Sequence, residues 1–109
     1  MSVALSIQPR ATSSVAPRIV PVATQDVFKR YWLPASEALG LQWVPLFETG
    51  IPLAKEDVPD VLQELRALDG WIRQSAPETA AVIGARLERL ITELTGLAES
   101  LEQVEVFIG

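Results

Sequence analysis

The chain contains no cysteine, no histidine and no asparagine, and only two lysines among its 109 residues. Without cysteine there is no disulfide framework, thiolate nucleophile or thiolate metal site. Without histidine, the usual general base near neutral pH and the commonest metal ligand are both missing. No apolar run reaches the ~20 residues that cross a bilayer as a helix. The first ten residues, MSVALSIQPR, lack the basic region of a secretory signal. A soluble, cytoplasmic protein is expected. Seven arginines against two lysines suggest a GC-rich bacterial coding sequence.

What is plentiful is apolar. Hydrophobic residues make up 49% of the chain and mean hydropathy is +0.24, a generous stock for one core of this length. Net charge is −5, unevenly placed: residues 1–23 carry +2 and residues 24–109 carry −7. An acidic surface repels phosphate backbones, so nucleic acid is not the expected partner, and a basic protein is.

One domain is expected over 1–109, in four parts: 1–23, 24–53, 54–103 and 104–109. Val3, Leu5 and Ile7 alternate with Ala4, Ser6 and Gln8, which predicts a half-buried strand over 2–8. Pro9, Pro17 and Pro21 make 9–23 an extended segment in which RIVPV reads as a short edge strand. Thr24 is placed to cap a helix carrying Phe28, Tyr31 and Trp32, continued by PASEAL and closed by Gly40. LQWVPLFETG then reads as an edge or bulged strand over 42–47 with a turn after it. Two-residue periodicity would send Val44 and Leu46 to the core and leave Trp43, Pro45 and Phe47 exposed.

A second helix is expected from Asp57 to Arg73, with Val58, Val61, Leu62, Leu65, Leu68 and Ile72 as its buried stripe. Ser75 and Glu78 have capping-box spacing before a third helix reaching to about Gln103. There Ile83, Leu87, Leu90, Leu94, Leu97 and Leu101 recur at spacings of four and three, the seam pattern of a coiled coil. About 17 residues against about 27 leaves roughly 15 Å of seam without a partner in the hairpin. VEVFIG alternates Val104, Val106 and Ile108 against Glu105 and Phe107 and predicts a terminal strand.

The predicted fold is therefore α+β: a small, mainly antiparallel sheet of residues 2–8, 42–47 and 104–108. A helical hairpin and a shorter aromatic-rich helix pack on one face.

Phosphate-binding loops, dinucleotide glycine patterns and nucleophile elbows are missing, and no enzyme, cofactor or metal is expected. The candidate site is an interaction surface. Trp43, Pro45 and Phe47 would supply its apolar anchor, and Glu48, Glu56, Asp57, Asp60 and Glu64 its acidic border. In size, charge and layout the chain resembles bacterial immunity proteins that neutralise toxins, and acidic secretion chaperones. That resemblance implies a non-enzymatic inhibitor or chaperone with a protein partner. The alternative is a structural subunit that dimerises through Ile83, Leu87, Leu90, Leu94, Leu97 and Leu101.

Overall fold

The computed structural model describes residues 2–10 and 16–109. The extended segment expected over 9–23 lies partly outside them, at 11–15. Four antiparallel strands, β1 (Ser2–Pro9), β2 (Arg18–Thr24), β3 (Ile51–Leu53) and β4 (Val104–Ile108), form one sheet in the order β2-β1-β4-β3. The fold is α+β. As expected, β1 and β4 are neighbours, with Leu5 opposite Ile108 and Ile7 opposite Val106, so both ends of the chain belong to the centre of the sheet.

RIVPV is indeed an edge strand. The register slips beside Pro21: Val3 pairs with Ala23 but Ala4 pairs with Pro21, so Val22 is the extra residue of a bulge. The bulge explains why Val22 and Ala23 are both buried although adjacent in an alternating strand.

Thr24 caps α1 (Gln25–Val27), its hydroxyl accepting the Val27 N–H at 3.1 Å. The helix then widens into a π turn (Phe28–Trp32), where the Leu33 N–H reaches back to the Phe28 carbonyl, before α2 (Leu33–Leu39). Pro34 gives a reason: it offers no N–H to the Arg30 carbonyl and its ring crowds that group, which a wider turn relieves. The turn stacks Phe28 on Trp32 with centroids 5.8 Å apart, both fully buried. Gly40 closes α2 in the left-handed conformation (φ 70°), and Leu41 N–H bonds to Ser36 O at 2.9 Å, the Schellman pattern.

The strand expected over 42–47 does not form. Val44–Glu48 is a 3₁₀ helix, and the third strand is Ile51–Leu53 just after it. In a 3₁₀ turn residues three apart share a face, so Val44 and Phe47 are buried together while Leu46 is exposed. This reverses the expected sides of Leu46 and Phe47. Pro45 sits in the first turn, where its missing N–H costs nothing.

Helix α3 (Val58–Ser75) buries all six residues of its predicted stripe. It meets α4 (Pro77–Leu97) through Ala76 alone. No capping box forms: Ser75 is the last residue of α3, and the non-helical residue before Pro77 is Ala76 (φ −144°, ψ 66°), whose carbonyl takes the N–H groups of Thr79 and Ala80. Helix α4 ends at Leu97, six residues earlier than expected, and i→i+3 turns carry the chain to Gln103. Its 21 residues exceed the 18 of α3 by only about 5 Å of helix, so the expected unpartnered length is largely gone.

All six seam residues, Ile83 to Leu101, are buried in one core with the α3 stripe, Phe28, Trp32, Phe47 and the inner faces of the strands. The sheet and α3 cover that seam, so its six residues offer no free face to a second copy. The helices lie on one side of the sheet, whose other side faces solvent.

Candidate functional site

Glu64 organises the surface around Trp43. From the second turn of α3 its carboxylate accepts three backbone N–H groups, those of Gln42 (3.0 Å), Trp43 (2.9 Å) and Val44 (3.2 Å). These are donors that the start of the 3₁₀ helix leaves without intrahelical partners, and the negative charge sits at the positive end of its dipole. Glu64 is thus a clamp between α3 and the 3₁₀ helix as well as an acid on the α3 face.

Trp43, Asp60 and Glu64 line one surface hollow of about 380 Å³ together with Leu41, Gln42 and Gln63. The indole is half-buried, packed on the core along one side and open on the other. Three of the eight expected site residues are thereby brought together. The other five are placed differently. Phe47 is fully buried beneath the 3₁₀ helix and Pro45 is half-buried. Glu48 and Glu56 are exposed, and neither they nor Asp60 makes an ion pair among the described residues. Asp57 accepts the Ala54 N–H at 3.0 Å while its own N–H goes to Ala54 O, a turn that starts α3.

Lys55, the one base in this stretch, is already engaged. Its ammonium lies 2.8 Å from Glu102 Oε1 and ties the loop after β3 to the turns after α4. That hydrogen bond holds the Glu102 carboxyl below its ordinary range and the Lys55 ammonium above its own. Among the described residues, Glu48, Glu56, Asp60 and Glu64 make no ion pair.

A second surface escaped the sequence reading as a site. Ser6 pairs with Ile19 on one side and with Phe107 on the other, and Phe107 pairs with Pro52. Residues directly opposite in antiparallel strands point to the same face, so Ile19, Ser6, Phe107 and Pro52 form one row across all four strands. Ile19 is 66% exposed and Phe107 43%, two of the four large exposed hydrophobics among the described residues. Beside the row lies an open groove of about 600 Å³ bordered by Gln8, Arg10, Asp57 and Glu105. The signal was present in the alternation of VEVFIG, which sets Phe107 opposite the core residues Val104, Val106 and Ile108.

Among the described residues no group of three acids converges as a metal site would require, and no helix is long and apolar enough to cross a membrane. No protein-family model, no curated protein and no solved structure matches the chain.

Proposed function

We propose that the chain is a non-enzymatic protein-binding module of the cytoplasm, an inhibitor of the immunity type or a secretion chaperone, that docks a basic protein partner on Trp43 and the acids beside it. The observation that carries this reading is the Glu64 clamp. By holding the backbone of residues 42–44 it fixes a half-exposed indole before any partner arrives, next to Asp60. A pre-ordered aromatic loses little entropy on binding, which is why such residues anchor interfaces. Glu48, Glu56 and Asp60 lack ion-pair partners among the described residues, so they are available to steer a cationic surface.

The test compares wild type with Trp43→Ala. Proteins retained by the immobilised wild type are identified, the retained partner is purified, and its affinity for both forms is measured by calorimetry. A basic partner bound about 30-fold or more weakly by Trp43→Ala is expected. Equal affinity of the folded variant, or a partner with no basic surface, would overturn the proposal.

A further inference from the structure

We infer that the hollow beside Trp43 receives one arginine side chain of the protein partner, a recognition that deepens the docking reading above and rests on it. The α3 wall of the hollow is Asp60, Gln63, Glu64 and Ala67, which share one face of the helix over two turns, about 10 Å. The other wall is the segment 41–43, drawn against α3 by the Glu64 carboxylate through the N–H groups of Gln42 and Trp43. Along α3 the polarity changes from end to end. Asp60 and Glu64 stand one turn apart, with Cβ atoms roughly 5–6 Å from each other, and the methyl of Ala67 follows on the next turn. Carboxylates at one end and a methyl at the other match a side chain with an apolar stem and a cationic head. The lining holds those two carboxylates and neither lysine nor arginine.

The head this hollow selects is a guanidinium. Trp43 is held opposite Glu64 and half-buried, and a planar guanidinium stacks on an indole while a tetrahedral ammonium does not. An ionised carboxylate has about four acceptor sites. Glu64 Oε1 takes the N–H groups of Trp43 and Val44, whereas Oε2 takes only that of Gln42, so Oε2 keeps one site for a ligand. Asp60 is exposed and makes no ion pair among the described residues. Two acceptors one turn apart suit a head whose N–H groups point in separate, fixed directions within one plane. An ammonium is a compact charge that holds its hydration in an open hollow.

The probe is the peptide acetyl-Gly-Arg-Gly-amide, with lysine and citrulline counterparts, citrulline keeping the shape of arginine without its charge. Each is titrated into the isotope-labelled full chain and read at the indole N–H resonance of Trp43, identified as the one that Trp43→Phe removes. The arginine peptide should give a saturable shift and bind about threefold or more tighter than the lysine peptide, and citrulline should give none. Asp60→Asn should weaken the arginine peptide about fivefold or more. Ala67→Phe, which fills the apolar end from an exposed position, should block it too, with far-ultraviolet circular dichroism as the folding control. No saturable shift with arginine, a lysine peptide that binds as well, or indifference to both Asp60→Asn and Ala67→Phe would overturn the inference. A partner that needs Trp43 while the hollow ignores the arginine peptide would also overturn it and leave the docking reading standing. A partner indifferent to Trp43→Ala, with the arginine peptide bound, would overturn the docking reading alone.

Discussion

The Glu64 carboxylate accepts the backbone N–H of Trp43 at 2.9 Å across 21 residues of chain, and the flanking N–H groups of Gln42 and Val44 converge on the same two oxygens. Hydrogen bonds to a charged acceptor contribute more than neutral ones, and removal leaves part-buried donors without partners. Glu64→Ala should therefore destabilise the protein by about 2 kcal/mol in urea denaturation. Glu64→Gln should recover part of that, because one amide oxygen still accepts. Asp60→Ala, one turn earlier and solvated, should stay within ~0.5 kcal/mol of wild type. Equal effects at 60 and 64 would refute the clamp.

The two left-handed glycines are expected to differ in cost. Gly40 has φ 70° and open space where a methyl would sit, so Gly40→Ala should cost about 1 kcal/mol, from backbone strain alone. Gly50 has φ 94°, and a methyl there would stand 2.5 Å from Phe107 Cζ, so the ring must move as well. Gly50→Ala should cost more than Gly40→Ala and should couple to Phe107→Ala in a double-mutant cycle. Additive effects at 50 and 107 would show that the ring does not lie against that turn.

Trp32 is fully buried, and its Nε1 makes no hydrogen bond. Burying an unmet donor costs about 1–3 kcal/mol, which offsets part of what the large ring contributes. Trp32→Phe removes that donor while keeping a ring against Phe28, so its cost should stay below about 1.5 kcal/mol, against roughly 3–5 kcal/mol for Trp32→Ala. Chemical denaturation of both variants decides; similar losses would mean that the indole N–H is satisfied in solution.

The Lys55–Glu102 pair sets a pH window. Glu102 is held below its ordinary range, so its contribution is complete above that range and fades as pH falls through the depressed value. Lys55 is held above its own range, so its contribution is complete below that range and fades as pH rises through the raised value. Both side chains are largely exposed, at 59% and 77%, so the effect is small and salt-sensitive. The melting difference between wild type and Lys55→Met should be flat from about pH 6 to about pH 9, vanish in acid and shrink in about 1 M salt. A difference that persists in strong acid would assign the effect to packing of the lysine stem.

Local chemistry fixed much of this molecule. The alternation of β1 and β4, the Thr24 cap, the Gly40 close, the α3 stripe and the leucine pattern of α4 are each set by neighbours within a few residues, where periodicity and caps act. Three things needed the whole chain. The stretch 42–47 has alternation enough for a strand and became a 3₁₀ helix because an acid 20 residues later collects its N–H groups. Phe47 went inward and Leu46 outward for the same reason, so the predicted anchor survives at Trp43 and is lost at Phe47. The seam of α4 looks the same in sequence whether a second copy or the chain itself covers it, and only packing against α3 and the sheet decides for the latter. Phe107 shows the same division: alternation told that it points away from Val106, but only the strand order β2-β1-β4-β3 aligned it with Ser6, Ile19 and Pro52. Periodicity is a property of neighbours along the chain, whereas strand order and a long-range carboxylate cap join residues that sequence proximity never relates.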